Sequence, residues 1–548
     1  MFSMVVYNKI IPANALSSLG VLVIGMFILI VADYAVKVAR SKFMGAAGID
    51  ADTAIADRLF AKIIDLQFKS KKGSVGTIAN TLKEYEQIRE FFTSATLVAI
   101  IDMPFAIIFL IFMLIIGGWM VIPVLVGIAI LVLVTLYIHP RLKKIAETSF
   151  EDGANKHSVL VETLSGLETI KILGAGGILR KKFRSVLARQ AVQGEESKRH
   201  TFFASNLTAE VQQAVQIMVI AVGALTVSMG SYGYGAIIAC SILSGKALTP
   251  FAQFTQLLLR LNQIMTGYKA LDELMKQPTE HGKDINYLPR GKLQGSIEFK
   301  DVEFAYPGQD GKALQGISFL INPGERVAIV GRVGSGKTTI GKLIAKLFEV
   351  QEGAIYLDGI DITQIDPSEV RENIGYVAQE PWLIAGTIEQ NITLGAANIS
   401  TEEMLLAARL SGVADFIDRH PKGYKLMVKE RGEGISGGQR QSITIARALV
   451  RKPSILLFDE PTSAMDARSE RLFVESLKNQ TLDSTLVLIT HRTSLLSLVD
   501  RVIIIDSGKV IGTDTVDNFL NIKAIPNDAD GKKWDLPQPP NPINQALS

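Results

Sequence analysis

The stretch Val327-Ala-Ile-Val-Gly-Arg-Val-Gly-Ser-Gly-Lys-Thr-Thr339 decides the fold of the second half of this 548-residue chain. Its first four apolar residues, mostly β-branched, predict a buried strand, and the glycine-rich turn and the residues after it predict the start of a helix. Gly331 and Gly336, followed by Lys337 and Thr338, have the spacing of a phosphate-binding loop. The backbone N–H groups of such a loop, and the start of its helix, face a polyphosphate.

This spacing lets Lys337 reach the β- and γ-phosphates of a nucleotide and lets the Thr338 hydroxyl hold Mg²⁺. The alternative is an ordinary strand, turn and helix without a ligand, because the pattern also occurs by chance in long chains. The predicted strand before the turn and the predicted helix after it favour the nucleotide site. We therefore expect an ATP site in the second half of the chain.

The composition indicates a membrane half followed by a soluble half. Hydrophobic residues make up 48% of the chain, the mean hydropathy is +0.27, and the apolar excess lies almost wholly before residue 265. The length corresponds to about three or four domains. A net charge of +3 gives no indication of nucleic-acid binding, and the single cysteine, Cys240, excludes an internal disulfide and a multi-cysteine metal site.

Five stretches are apolar and long enough to cross a bilayer, which takes about 20 residues of helix. They lie near Ala15–Val36, Ala95–Ile116, Met120–Ile138, Ala209–Met229 and Ala236–Leu259. The connections after the first and third spans are long and rich in lysine and arginine, whereas the other connections are short and nearly uncharged. The positive-inside rule therefore predicts that both long connections, and the ATP site after the fifth span, are cytoplasmic.

Five spans with a cytoplasmic C-terminus put the N-terminus outside. The run Met1–Tyr7 is apolar, is ended by Asn8 and Lys9, and has the character of the end of an earlier helix. We therefore expect that a first span, and anything before it, is missing from this sequence. The alternative is a genuine short external N-terminus.

The two long cytoplasmic connections have helical periodicity and few breakers, which predicts that the membrane helices continue well beyond the bilayer. Polar residues inside spans are costly and often functional. Those that stand out are Asp33, Lys37, Asp102, Gln212, Gln216 and Lys246. Asp33 and Lys37 are spaced to pair near a helix end. For the others, two interpretations stay open: a polar path lined by the last two spans, or hydrogen bonds between helices.

Strand-like and helical runs alternate after about residue 291, which predicts an α/β domain with a mainly parallel core. The run Ile455–Glu460 predicts a buried strand that ends in two carboxylates. Asp459 is placed to hold Mg²⁺, and Glu460 is placed to act as general base on the attacking water. The alternative is a solvated acidic turn, which the preceding phosphate-binding loop disfavours.

A second phosphate-binding surface is predicted at Ile435–Gln439, where Ser436, Gly437 and Gly438 open a helix. One subunit needs only one such surface for its own ATP. The second is explained if it closes on the nucleotide of another subunit.

The phosphate-binding loop, ISGGQ at 435–439 and ILLFDEPTSAMD at 455–466, in this order and spacing, resemble the ATPase of ABC transporters, whose signature usually begins with leucine. This resemblance implies that Tyr306 stacks on adenine, Gln379 senses Mg²⁺ and the membrane domain, Asp466 lies between subunits, and His491 contacts the γ-phosphate. Without it, Tyr306 would more often be a packing aromatic and His491 a strand-end histidine.

The implied catalytic residues are Glu460, His491 and Lys337, and the implied ligands of Mg²⁺ are Thr338, Gln379 and Asp459. Further implied ATP contacts are Gly331, Arg332, Val333, Gly334, Ser335, Gly336, Thr338, Thr339, Ser436, Gly437, Gly438 and Gln439.

The order of spans and ATPase resembles an exporter half-transporter, and Glu430–Gly432 resembles the exporter X-loop, with Lys429 where glycine is common. The runs VVYNKIIPANAL (5–16), REFFTSATLVAIIDMPF (89–105), SGLETIKILGA (165–175) and ILSGKALTPFAQ (242–253) resemble exporters of type I secretion systems, and most closely the branch that secretes RTX adhesins.

That resemblance implies a homodimer in the bacterial inner membrane, with membrane lipid around it and the ATPase domain in the cytoplasm. Its partners would be a periplasmic membrane-fusion adaptor protein, an outer-membrane channel and a secreted protein substrate with an uncleaved C-terminal signal. A peptidase-like domain and a first span precede the VVY-type segment in that family, and neither occurs in this sequence.

The expected organisation is an all-α transmembrane domain at 1–275, a linker at 276–290, an α/β P-loop ATPase at 291–525 and a disordered Pro-rich tail at 526–548. The favoured function is ATP-driven export of a protein. Two alternatives stay open: export of a lipid, drug or peptide by the same kind of ATPase, and a non-transporting or inactive fragment.

Overall fold

A computed structural model describes residues 2–68, 75–93, 95–230, 232–281, 287–396, 398–479 and 483–523 of the chain. The chain forms two compact units, one of Met1–Leu66 with Ser70–Pro278 and the other of Gln67–Lys69 with Thr279–Ser548. The first unit is helical and the second is α/β, so the predicted fold class is confirmed. The predicted tail at 526–548 and part of the linker, 282–286, lie outside the described residues.

The first unit consists mainly of long helices, because its apolar runs contain few helix-breaking residues. After short helical turns between Phe2 and Ala13, its helices are α1 (Leu16–Ile64), α2 (Val75–Thr93), α3 (Ala95–Gly117), α4 (Ile122–Ser165), α5 (Leu167–Ile172), α6 (Gly176–Ser228) and α7 (Tyr234–Lys276). Helices α1, α4 and α6 contain 49, 44 and 53 residues. Each is therefore roughly twice as long as the hydrocarbon layer, which is about 30 Å thick. The predicted long helices are therefore confirmed, and their continuation beyond the bilayer stays a prediction.

Four described segments are long and apolar enough to cross a membrane: Ser17–Arg40, Asp102–Ser165, Gly176–Ser228 and Tyr234–Phe254. The second segment contains two of the predicted spans, joined by a 3-10 turn at Gly118–Val121. The five predicted spans accordingly fall, within a residue or two at their ends, in α1, α3, α4, α6 and α7.

The polar residues of the spans form two contacts of interest. Lys37 pairs with Asp33 at 2.6 Å, as their spacing predicts, but the predicted position near a helix end is wrong, because α1 continues without a break to Ile64. Gln216 Nε2 donates to Ser241 Oγ at 3.4 Å, which joins α6 to α7. For Gln216, this contact favours a hydrogen bond between helices over a polar path. The side chain of Lys246 is exposed.

The helices of the first unit meet in two buried apolar clusters among the described residues, a small one of Ile138, Leu142 and Ala204 and a larger one. The members of the larger cluster include Met113, Met120, Leu131, Val215, Val219, Cys240 and Leu248. The single cysteine is therefore part of the packing between α3, α4, α6 and α7.

Twelve described strands form the sheets of the second unit. They are β1 (Ile297–Ala305), β2 (Lys312–Ile321), β3 (Arg326–Gly331), β4 (Glu352–Leu357), β5 (Ile360–Asp361), β6 (Ile374–Val377), β7 (Gly386–Thr387), β8 (Met427–Val428), β9 (Ile455–Asp459), β10 (Thr485–Ile489), β11 (Arg501–Asp506) and β12 (Lys509–Thr515). The main sheet has the order β12-β11-β3-β10-β9-β6, and only β12 in it is antiparallel. A second, antiparallel sheet has the order β2-β1-β4-β5, and β7 pairs with β8.

The helices of the second unit are α8 (Lys337–Ile344), α9 (Pro367–Glu372), α10 (Ile388–Ile392), α11 (Thr401–Leu410), α12 (Val413–Ile417), α13 (Gly437–Leu449), α14 (Ala467–Lys478) and α15 (Val516–Lys523). Strands β3, β9 and β10 are almost entirely buried between two apolar clusters, because most of their residues are apolar. Their parallel register brings the carboxyl ends of these strands to one edge of the sheet.

Candidate functional site

The predicted phosphate-binding loop joins β3 to α8, and its glycines are required by close approaches. A Cβ on Gly331 would lie 2.0 Å from the carbonyl oxygen of Ile505 in the neighbouring strand β11. Gly336 has a φ of +100°, and a Cβ there would lie 2.7 Å from the carbonyl oxygen of Ala313. Only glycine fits both positions without a shift of the backbone.

Lys337 is the first residue of α8 and folds back over the loop. Its Nζ donates to the carbonyl oxygens of Gly331 at 2.9 Å and Arg332 at 2.7 Å. Partial burial lowers the pKa of Lys337, and the negative charges of Glu460 and Asp459 oppose that shift. The structure thus brings the predicted lysine and the two predicted carboxylates into one electrostatic cluster.

The other residues of the loop divide between its interior and its outer surface. Ser335 is buried, and its Oγ has no hydrogen-bond partner among the described residues. Val333 is fully exposed, although it is apolar. The Oγ1 of Thr339 lies 3.1 Å from the Tyr306 hydroxyl, so the predicted adenine-stacking residue contacts α8, the helix that follows the loop. That these residues contact a nucleotide stays a prediction.

Asp459 ends the buried strand β9, where it is 1% exposed. Neither carboxylate oxygen has a hydrogen-bond partner of standard geometry among the described residues. Burial raises the pKa of Asp459, and the nearby Thr338 hydroxyl and the charge of Lys337 oppose that shift. Carboxylate and hydroxyl oxygens are ligands of the kind Mg²⁺ prefers. A buried, unpartnered carboxylate beside a threonine hydroxyl therefore fits this ion.

Glu460 follows directly, in a backbone conformation that is uncommon for residues other than glycine, with a φ of +50°. Its N–H donates to the carbonyl oxygen of Ile489 in β10 at 2.9 Å. Its Oε1 lies 2.5 Å from Nδ1 of His491, and its side chain is 10% exposed. The end of β10 therefore fixes both the backbone and the carboxylate of the predicted general base.

The second predicted phosphate-binding surface opens α13. Ser436 is its N-cap: Ser436 Oγ accepts from the N–H of Gln439 at 3.3 Å, and Gln439 Oε1 accepts from the N–H of Ser436 at 3.1 Å. Cβ atoms on Gly437 and Gly438 would each lie within 3.3 Å of atoms of Ala464. The described polar contacts of Ser436 and Gln439 are thus capping contacts within their own helix.

No hydrogen bond is described between Asp466 or Gln379 and the cluster of Lys337 and Glu460. Asp466 caps α14 by accepting from the N–H groups of Arg468 and Ser469, and the hydrogen bond from Ser469 lowers the pKa of Asp466. Gln379 is exposed two residues after β6. Their predicted roles between subunits and at Mg²⁺ stay predictions.

Thr490 is a site residue that sequence reasoning missed. It is fully buried between β10 and His491, with its Oγ1 3.5 Å from Oε2 of Glu460, and it accepts from the N–H of Arg492 at 3.0 Å. The available signal was a hydroxyl residue at the end of an apolar strand, directly before the predicted histidine.

Comparison with known proteins agrees with this architecture over both units. Residues 1–250 match the family model described as ABC transporter transmembrane region, and residues 314–463 match the one described as ABC transporter. A solved structure of a bacterial Atm1-family ABC exporter with ATP bound has the same fold, with a TM-score of 0.83 at 24% identity. The likeness covers 95% of this chain and 94% of that one.

Curated relatives are similar over nearly the whole chain. The alpha-hemolysin translocation ATP-binding protein HlyB of Escherichia coli O157:H7 is 32% identical over 95% of this chain and 74% of its own length. The cyclolysin secretion/processing ATP-binding protein CyaB of Bordetella pertussis is 31% identical over 93% and 72%. The leukotoxin translocation ATP-binding protein LktB of a Pasteurella haemolytica-like species is 31% identical over the same shares.

Proposed function

The chain belongs to the ABC transporter family, and on that basis we propose that it exports a protein through a bacterial type I secretion system. As a member of that family it is a membrane ATPase that couples ATP hydrolysis to transport. The main support for a protein cargo is the similarity to hemolysin, cyclolysin and leukotoxin translocation proteins, which extends through the membrane half. The membrane half is the part that meets the cargo, whereas the ATPase is shared by exporters of many kinds.

In the proposed ATP site, the N–H groups of Gly331–Thr339 bind the phosphates and Tyr306 stacks on the adenine. The ammonium of Lys337 exchanges its two loop carbonyl oxygens for oxygens of the β- and γ-phosphates. Thr338 and Asp459 would hold Mg²⁺, with Gln379 as a further ligand; when bound, Mg²⁺ neutralises charge on the phosphates. The buried carboxylate of Asp459 supports this assignment, since neither of its oxygens has a hydrogen-bond partner of standard geometry in the described part of the chain.

Glu460 is proposed to accept a proton from the attacking water. Its carboxylate is nearly buried and is directed by His491 and by the hydrogen bond from its N–H to Ile489, so it presents one orientation to a water above the γ-phosphate. His491 is 68% exposed and can contact the γ-phosphate while it keeps the glutamate in place. The strained backbone at Glu460 supports a functional role, because such conformations cluster at active sites.

A homodimer is proposed to complete the site. Ser436, Gly437, Gly438 and Gln439 form the N-terminus of a 13-residue helix, which favours an anion, and none of them has a described contact with Lys337. They would therefore meet the phosphates bound by another copy, with Asp466 in the same interface. Closing and reopening this interface would drive the membrane helices between their two states.

The remaining assignments follow the type I secretion relatives. We propose the inner membrane as the location, with the ATPase domain in the cytoplasm, and a periplasmic adaptor and an outer-membrane channel as partners. Membrane lipid would cover apolar surfaces such as Ser17–Arg40, whose side chains are not buried within the chain. The proposed domain limits are 1–275 for the membrane domain and 291–525 for the ATPase, with a linker at 276–290 and a tail at 526–548.

The test is a chromosomal Glu460→Gln substitution in the native host, followed by proteomics of the culture medium. We expect a large protein to disappear from the medium and to accumulate in cells, while sensitivity to drugs is unchanged. Glu475→Gln, at an exposed glutamate of α14 in the same domain, is the matched control and should leave secretion intact. An unchanged secreted proteome together with new drug sensitivity would refute protein export and favour small-molecule export.

A further inference from the structure

Two phenylalanine rings lie nearly perpendicular to the ring of Tyr306. The ring centroid of Phe304 lies 5.1 Å from that of Tyr306 with the planes at 81°, and that of Phe348 lies 5.4 Å away with the planes at 87°. Edge-to-face pairs of this geometry are favourable because the positive ring edge meets the negative ring face. Together with the contact between the Tyr306 hydroxyl and Thr339, they fix both the plane and the rotation of the tyrosine ring.

Phe348 joins the rings into one aromatic cluster of Phe68, Phe304, Tyr306 and Phe348. Its centroid is 5.6 Å from that of Phe304 and 5.8 Å from that of Phe68. Phe304 is 2% exposed and belongs to the core of β1, whereas Phe348 is only partly buried. Both rings pack against the same apolar core, and the described ring–ring contacts of Phe348 all lie within the aromatic cluster.

Phe348 follows the helix that begins at the phosphate-binding loop, so it lies close in sequence to the predicted phosphate contacts. Helix α8 begins at Lys337, beside the phosphate-binding loop, and ends at Ile344, four residues before Phe348. Lys342, on the same helix, carries its Nζ 5.5 Å from the centroid of the Tyr306 ring. The short segment from Lys337 to Phe348 therefore connects the predicted phosphate contacts to a ring that packs on the tyrosine.

We propose that Phe348 is a positioning residue for base recognition: it sets the plane of the Tyr306 ring and so the stacking surface offered to adenine. This inference rests on the proposed role of Tyr306 at the base. Phe348 itself touches neither the nucleotide nor the reacting atoms. Its loss should weaken only the part of the affinity that comes from the base, and should leave the triphosphate contacts and the chemical step unchanged.

The experiment is steady-state ATP hydrolysis by the purified full chain in lipid nanodiscs. Phe348→Leu should raise KM for ATP about threefold to tenfold, the range of an edge-to-face aromatic pair, with kcat unchanged. The inhibition constant of inorganic tripolyphosphate, which has the phosphates but no base, should not change. Phe348→Tyr, which keeps the ring, should have a KM within about twofold of the original.

Phe319→Leu is the matched control. Phe319 is also partly buried in the ATPase unit, and its ring stacks on Phe299 at 4.5 Å, outside the aromatic cluster. It should leave KM unchanged. If Phe348→Leu does not fold, Phe348→Met, which keeps an unbranched apolar side chain, takes its place with the same expected result.

A second set of variants tests whether Phe348 acts through Tyr306. In a Tyr306→Leu background, Phe348→Leu should cause no further rise in KM. The inference is overturned if KM rises by the same factor in both backgrounds, if tripolyphosphate binding weakens as well, or if KM does not change. A normal KM in Tyr306→Leu alone would refute the adenine-stacking role and this inference with it. A raised KM there, with no effect of Phe348→Leu, would refute this inference alone.

Discussion

Oε1 of Glu460 and Nδ1 of His491 lie 2.5 Å apart at the ends of two adjacent parallel strands, β9 and β10. The register of those strands pairs Asp459 with Ile489, so the residues that follow each strand meet at the same edge of the sheet. The glutamate is nearly buried and the histidine is mostly exposed, with side-chain exposures of 10% and 68%. The imidazole therefore covers the carboxylate from the solvent side and limits its orientation.

Glu460→Gln should slow turnover strongly while it preserves ATP binding. The amide keeps the size of the side chain but cannot accept a proton from water, and loss of a general base costs about 10²- to 10⁴-fold in rate. ATP hydrolysis and equilibrium ATP binding, measured on the same preparation, test this. Glu475→Gln should behave as the unchanged protein does, and normal turnover in Glu460→Gln would remove the assigned role.

His491→Ala should slow hydrolysis by about tenfold to a hundredfold, because the Glu460 carboxylate loses the group that orients it. The two residues act as a unit, so the double variant with Glu460→Gln should be no slower than Glu460→Gln alone. Pre-steady-state phosphate release measures the chemical step directly. If the rate reductions of the two single variants multiply in the double variant, the two residues act independently and the proposed coupling is wrong.

Asp459→Asn should remove the dependence of ATP binding on Mg²⁺ without destabilising the unliganded protein. The native carboxylate is 1% exposed and has no hydrogen-bond partner of standard geometry among the described residues, so burial of its charge is only partly offset by Thr338 and Lys337. Removing that charge should leave the melting temperature equal or higher in the presence of a chelator. Titration of ATP binding against free Mg²⁺ provides the functional readout. A lower melting temperature would mean that the carboxylate has a stabilising partner.

Stability of the ATPase unit should fall at acid pH through Glu403, in the first turn of α11. A hydrogen bond from Lys452 is the main cause that lowers the pKa of Glu403 to about 2, and hydrogen bonds from Ser400 add to it. A depressed folded-state pKa means that this stabilisation is fully present above the ordinary value near 4.5 and is lost as the pH falls towards 2.

Lys452→Met should therefore lower the melting temperature at pH 7, and the difference from the unchanged protein should disappear as the pH approaches 2. Lys509→Met, at an exposed lysine of β12, is the control and should show no pH-dependent difference. Thermal unfolding followed by circular dichroism across this range measures both. A difference that grows at low pH would reverse the sign and refute the assignment.

Local patterns were sufficient to predict the long helices, the parallel core and the loop at Gly331–Thr339, because each depends on residues close together in sequence. The contact of Glu460 with Thr490 and His491 depends on which strands are neighbours and in what register, and the sequence spacing does not contain that information. For the same reason, the sequence did not predict the aromatic cluster around Tyr306, since Phe68 and Phe348 are 280 positions apart. Ser436 shows a third limit: the pattern indicated a phosphate surface, but the described contacts of its hydroxyl are helix capping.

The close approach of Gly331 to the carbonyl oxygen of Ile505 means that β11 leaves no room for a side chain at the start of the phosphate-binding loop. Lys337 donates hydrogen bonds to two of the loop carbonyl oxygens, so the loop is ordered by contacts within the chain. A receptor that is ordered in advance loses little conformational entropy when its ligand arrives. In the proposed site, the phosphates would meet a loop that the fold has already ordered, and the conformational change of a transport cycle would have to come from elements outside this loop.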